Sequence, residues 1–133
     1  MAIEYSGLDL SFVAAEDLSG HQYCFVHQLT DTTVELNDAS TEPPLGVLQN
    51  APESGEVAVV RVTGTSKLVM NDAVAVGVFL KHEQVGASDN GKGDAADTEG
   101  DLVRGLSIMA TGAEDDVGAI LLCGPWKLSF DVS

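Results

Sequence analysis

An all-β fold is predicted, a compact β-sandwich or small β-barrel of about eight or nine short strands, with an extended N-terminal arm and a short C-terminal tail. Three observations predict it. Short stretches rich in Val, Leu and Thr alternate apolar with polar residues, the period of a half-buried strand. Turn residues recur roughly every eight to twelve positions, the spacing of small sandwiches and barrels. No stretch carries a helical period for three turns. At 133 residues the chain is expected to be one domain, read as an arm at 1–20, a β domain at 21–123 and a tail at 124–133.

Each element has its own local reason. Ile3, Tyr5, Leu8, Leu10 and Phe12 are set among Glu4, Ser6, Asp9 and Ser11, and from Leu8 to Phe12 the alternation is strict. Such a strand at a terminus either pairs with its own sheet or adds to a neighbouring subunit. Residues 14–18 offer one helical turn before Ser19 and Gly20 close it. Residues 22–29 form the next strand, with Tyr23, Phe25, His27 and Leu29 on one face and Cys24 and Val26 on the other. Asp31 and Thr32 turn the chain into a strand at 33–36, and a polar loop spans 37–44.

The central block is 43–70. Residues 45–49 are a short strand, and 50–55 a reversal in which Pro52 presets φ and Gly55 accepts a positive one. Residues 56–63 alternate, with Ala58, Val60 and Val62 opposite Val57, Val59 and Arg61. Gly64 interrupts the run, as glycines do at bulges or close backbone approaches, and the strand resumes at 66–70. A strand with Gly77 inside it is predicted at 73–80, continuing more polar to 84. Residues 86–101 are almost all small or acidic and read as loop, with Asp89-Asn90-Gly91 as a hairpin turn. Residues 102–109 and 117–122 are the last clear strands. Gly124 and Pro125 are expected to break the ladder, leaving Trp126, Leu128 and Phe130 on one face of the tail.

The net charge of −15 argues against nucleic acid or an anionic membrane as partner. Residues 1–60 hold ten carboxylates and no Lys or Arg, so a partner of this half is expected to be neutral or basic. The first residues carry no basic segment followed by a long apolar run, so cytoplasmic synthesis is expected. Cys24 and Cys123 lie in apolar strand-like runs and read as buried thiols; a disulfide would require their strands to pair in an oxidising compartment.

Catalytic chemistry finds little support. His21, His27 and His82 are the only imidazoles. Cys24 and His27, three apart on one strand, point to opposite faces, and His27 is expected at a sheet surface. No nucleophile elbow or phosphate loop is present. The acidic clusters at 94–101 and 114–116 are weighed as calcium ligands and read instead as solvated loop charge; Asp89-Asn90-Gly91 lacks the spacing of a calcium loop, and Lys92 places a cation inside it. No cofactor and no metal is assigned. A small β-sandwich module that binds a glycan or calcium on a virion or cell surface remains the alternative reading.

Gly46, Val47, Leu48, Gln49, Asn50 and Pro52, followed by Gly55-Glu56-Val57, Gly64 and Lys67 in the Val62–Val69 run, and Gly77 closing Ala73–Val76, make a pattern that resembles the bacteriophage capsid cement (head decoration) family. Val103–Ser107 and Gly118–Leu122 fit its closing strands, and the resemblance covers residues 12–123. It implies a non-enzymatic protein on the outer capsid surface of the virion, made in the host cytoplasm. Its partners would be the major capsid protein and itself, commonly as a homotrimer at local threefold axes. Ile3, Tyr5, Leu8, Leu10 and Phe12 of the arm, with Trp126, Leu128 and Phe130 of the tail, are the candidate capsid or subunit interface.

Overall fold

Residues 57–69, the longest β-branched run, form a single strand of 13 residues on which the other strands assemble. The computed structural model describes residues 5–39, 41–83 and 89–129. Over these it is all-β, with β1 (Gly7–Ala14), β2 (Phe25–Gln28), β3 (Thr33–Leu36), β4 (Gly46–Leu48), β5 (Val57–Val69), β6 (Phe79–His82), β7 (Gly93–Ala95), β8 (Leu102–Met109) and β9 (Val117–Lys127).

The sheet order is β1-β3-β2-β4-β5-β9-β8-β6-β7, and β1 also pairs with β5. That extra pairing closes the first five strands into a ring. Val13 lies opposite Thr33 in a parallel β1–β3 pair, and Gly7–Val13 run antiparallel to Val57–Gly64. The second half of β5, Gly64–Val69, pairs with β9 and so begins an antiparallel sheet that is open except for one parallel bridge, from Gly93 of β7 to Met70. The choice between barrel and sandwich thus resolves into a small barrel and a sheet that share one strand.

Alternation explains how the strands fill both halves. Ala58 and Val60 on β5 are fully buried, whereas Val57 is 58% exposed. Val26 on β2 and Leu48 on β4 join Cys24, Val34, Ala58 and Val60 in the barrel core. Their neighbours Phe25 and Val47 face the other way, into a second core with Leu68, Met70, Leu80 and Ile120. Strands buried on both faces read as continuous apolar runs.

Of the two fates open to the N-terminal stretch, residues 7–14 take the first and close the barrel. Leu18 is fully buried and donates its N–H to the Pro52 carbonyl at 2.9 Å, so the chain beyond β1 is also packed. Gly64 has φ +92°, and a Cβ there would lie 2.1 Å from the Ser6 carbonyl oxygen and 2.7 Å from the Gly7 Cα. Its role is the close backbone approach that the interrupted pattern predicted.

Three local expectations are corrected. Gly124 and Pro125 do not end the ladder, because Trp126 still pairs with Val103 and Lys127 with Leu102. A register shift between Val103 and Gly105 accommodates the proline, as bulges do. The strand predicted over 73–80 shrinks to its end in β6; Val74 makes one bridge to Thr111, and Gly77 sits in a turn at φ +84°. Inside the acidic loop, β7 pairs with β6, Gly93 opposite His82. A Cβ on Gly93 would come within 2.5 Å of Leu68 Cδ2, so small size here serves packing rather than looseness.

Arg104 joins the two halves. It is 5% exposed. Its Nε donates to the Pro44 carbonyl (3.1 Å), Nη1 to Cys123 (3.2 Å), and Nη2 to Leu45 (2.9 Å) and Val62 (2.6 Å). Burial pushes its pKa down, and the four carbonyls offset part of that cost. R104M, which keeps the volume but strands four acceptors, is expected to lower unfolding free energy by on the order of 3 kcal/mol. The measurement is the urea midpoint at unchanged m; an unaltered midpoint would contradict the clamp.

Asp9 and Arg61 pin β1 to β5 through a two-point contact, Nε to Oδ1 at 2.7 Å and Nη2 to Oδ2 at 3.1 Å. These hydrogen bonds hold the Asp9 carboxyl below the usual carboxylate range. A carboxyl lowered on folding stabilises the native state above its unfolded pKa, and that contribution disappears as pH falls through the folded value. D9N is therefore expected to be the less stable protein at neutral pH, with the gap closing below about pH 4. Urea melts across that range test this, and a gap independent of pH would exclude Asp9 from the acid branch.

Candidate functional site

The open sheet presents an apolar row to solvent. Register places Leu121 of β9 opposite Leu106 of β8, and Leu106 opposite Phe79 of β6; directly opposed residues share a face. Leu121 is 42% and Phe79 44% exposed. The Trp126 ring stands edge-on to Phe79, centroids 5.5 Å apart and planes at 84°, and is itself 39% exposed. The alternate residues Ile120, Leu122 and Leu80 point into the second core. Trp126 was legible as an interface candidate. Phe79, Leu106 and Leu121 were not, since each stands in a run that reads as core; the alternation between Ile120 and Leu121 was the available signal.

The other interface candidates are divided. Leu8 is 54% and Leu10 39% exposed on β1. Phe12 instead packs against the barrel core. Tyr5 is partly buried, and Lys67 Nζ lies 5.9 Å from its ring and 5.5 Å from that of Tyr23, a cation held between two aromatic faces. Leu128 is partly buried and exchanges main-chain bonds with Asp101 and Gly100. Ile3 and Phe130 lie outside the described residues.

The motif residues of the central block are framework. Gln49 Nε2 donates to the Val47 carbonyl at 3.0 Å and to Ser66 Oγ at 2.9 Å. Asn50 donates to the Val57 carbonyl (2.8 Å) and accepts the Val59 N–H (3.0 Å), continuing the ladder along β5 with a side chain where the main chain has turned away. Gly46 packs its Cα against β5, where a Cβ would meet the Arg61 carbonyl oxygen at 2.1 Å. Gly55 makes the reversal at φ +87°.

A cleft of about 590 Å³ opens between β1 and the 41–45 loop, lined by Leu10, Leu45, Val62 and Pro125 on its apolar side and by His27 and Glu42 on its polar side. His27 is only 8% exposed, contrary to the sheet-surface expectation, because residues 42–45 fold back over β2. In the β2–β3 pair it stands opposite Glu35. Its Nε2 is 2.8 Å from Glu35 Oε1 and 3.1 Å from Glu42 Oε2. The other Glu42 oxygen accepts the N–H groups of Asp38 and Ala39, both at 3.1 Å. Donor atoms of His27, Glu35, Asp38 and Glu42 all lie within 4.8 Å of one another. Three carboxylates spaced irregularly along the chain carry no motif, and only the fold assembles them.

Cys24 is not brought to His27. It sits in the barrel core, and burial pushes its thiol up to about 11. Cys123 is on β9, which does not neighbour β2, and both thiols are free. Alkylation at mildly alkaline pH should mark the partly exposed Cys123 in the native protein and Cys24 only on unfolding. Equal rates at the two positions, read by peptide mass, would contradict the buried assignment.

The two acidic clusters weighed as calcium ligands are engaged by the chain itself. Lys92 Nζ lies 2.8 Å from Asp89, 2.5 Å from Asp115 and 3.8 Å from Glu114. Desolvation alone would lower the Lys92 pKa, but the bonds to Asp115 and Asp89 outweigh it and raise the value. Lys81 pairs with Asp101 at 3.4 Å. Asp101 also accepts the N–H groups of Asp97 and Thr98, and Asp116 those of Gly112 and Ala113. The cation among the 89 and 114–115 carboxylates is this protein's own lysine.

The architecture defines the class: a small all-β protein in which one long strand serves a closed barrel and an open sheet. No protein family and no curated protein matches the sequence. Among solved structures, the N base of the head fiber gp8.5 of bacteriophage phi29 is similar, with a TM-score of 0.65 at 16% identity over 92% of this chain and 98% of that one. At that identity the likeness is one of fold.

Proposed function

We propose that this chain is a non-enzymatic structural protein of a tailed-phage head. In this reading it binds the outer surface of the icosahedral capsid through the major capsid protein, as a homotrimer at local threefold axes, and stabilises the expanded shell. The observation that carries the proposal is the fold shared, along nearly the whole of both chains, with the N base of a phage head fiber. The central motif at 46–52, which resembles the capsid cement family, supports the same reading from the sequence side.

The surface chemistry fits. A net charge of −15 is repelled by packaged DNA and favours an outer position. The row of Leu121, Leu106, Phe79 and Trp126, with Leu8 and Leu10, supplies the aromatic and aliphatic contacts that interfaces bury. A protein that binds only the assembled lattice stabilises it by mass action, and a trimer touching several capsomers gains from each additional contact.

The test pairs solution mass with co-sedimentation on emptied phage capsids. The wild type is expected to sediment with capsids at saturable occupancy and to raise their thermal stability. F79A/W126A, which truncates exposed side chains, should keep its urea midpoint while occupancy falls at least tenfold. A monomer that ignores capsids, or wild-type occupancy in the double variant, would overturn the proposal or this surface respectively.

A further inference from the structure

We infer that His27, Glu35, Asp38 and Glu42 form a binding site for a zinc-type divalent metal ion at the polar end of the cleft. The inference is independent of the capsid reading.

Three observations carry it. The first is geometric. The four donor atoms lie within 4.8 Å of one another, and the two closest separations from His27 Nε2, 2.8 and 3.1 Å, approach the edge of a tetrahedron with bonds of about 2 Å, roughly 3.3 Å. The second is electrostatic. The side chains of Glu35 and Glu42 are only 26% and 23% exposed, yet among the described residues no Lys or Arg pairs with Glu35, Asp38 or Glu42. The acidic loop around Lys92 is the internal contrast, since there a lysine stands at the centre. Carboxylates gathered away from water require a cation or a proton between them. The third is a buried amide oxygen without a partner next to the loop that carries Glu42. Asn37 is fully buried and donates Nδ2 to the Glu42 carbonyl at 3.2 Å, which holds its amide beside this loop. Its Oδ1 has no hydrogen-bond partner among the described residues, an unusual state for a buried acceptor.

The donor set selects the ion. One imidazole nitrogen with carboxylate oxygens suits Zn²⁺, whereas Ca²⁺ takes six to eight oxygens and Mg²⁺ keeps an octahedral water shell. Glu42 is oriented in advance, because its second oxygen is bonded to the N–H groups of Asp38 and Ala39, the kind of outer support that fixes a ligand. Binding would cross-link the β2–β3 hairpin to the 37–44 loop and so stiffen one wall of the cleft.

The test uses the full chain, stripped with chelator and titrated calorimetrically with ZnCl₂, with CaCl₂ and MgCl₂ as parallel arms. One Zn²⁺ per chain and a rise in Tm that neither other ion reproduces are expected. E35Q/D38N, at a partly buried and an exposed position, should keep the metal-free Tm or raise it and weaken Zn²⁺ binding at least tenfold. H27Q, folded by circular dichroism, should weaken Zn²⁺ binding by as much, whatever its metal-free Tm. Absence of saturable Zn²⁺ binding by the wild type would overturn the inference. So would undiminished affinity in E35Q/D38N, which would locate the ion elsewhere.

Discussion

Everything in this fold depends on one strand being shared between two sheets of different curvature, and the Arg104 guanidinium is what makes the junction tolerable. Where β5 passes from barrel to open sheet, the ladder cannot satisfy every carbonyl on both sides. Pro44, Leu45, Val62 and Cys123 turn their oxygens toward one point. Guanidinium offers five N–H donors in a fixed plane, enough for all four. A lysine has three donors on one atom and a hydrophobic residue has none. Buried main-chain carbonyls left without partners are costly, so one side chain on β8 holds the loop before β4, β5 and β9 in a single arrangement.

That junction also forms the surfaces with chemistry. Arg104 lines the cleft that Leu10, Leu45 and Val62 wall and that His27 and Glu42 close. On the open sheet, alternation sends Ile120 and Leu122 inward and leaves Leu121 outward, so the apolar row follows from the same registers that build the second core. The negative charge is managed differently in different places. Lys92 and Lys81 answer the acidic residues of the later loops, whereas among the described residues Glu35 and Glu42 pair with no Lys or Arg and meet the His27 imidazole instead.

Much of the strand layout was legible because it is local. Residues 33–36 alternate cleanly and 102–109 form a mostly apolar run between turn signals, and the strands found there have those bounds. The misreadings share a cause. Pro125 reads as a stop because it has no N–H, but a register shift on β8 carries the ladder past it. Gly93–Ala95 reads as loop, yet it pairs with β6 because main-chain bonding requires no large side chain. Residues 73–78 look like strand by composition but meet their neighbour only at intervals, Val74 bridging Thr111 and Gly77 and Val78 bonding to Ser107, with the Gly77 turn between. Of the candidate surfaces, Trp126 announced itself by chemistry. The His27 cluster did not, since Glu35 reaches it through cross-strand register and Glu42 through a folded-back loop.

By itself the amino-acid sequence determined the β class, the positions of most turns, and which side of each strand is apolar, since a period of two is set by the backbone residue by residue. It also determined the net charge of −15. Only the tertiary structure decided which edge meets which: that β1 returns to β5 to close a barrel, that Phe25 and Val26 serve separate cores, and that four polar residues spread over 27–42 converge. Periodicity specifies a face and never a partner, and strand partners are chosen by contacts between residues far apart in the chain.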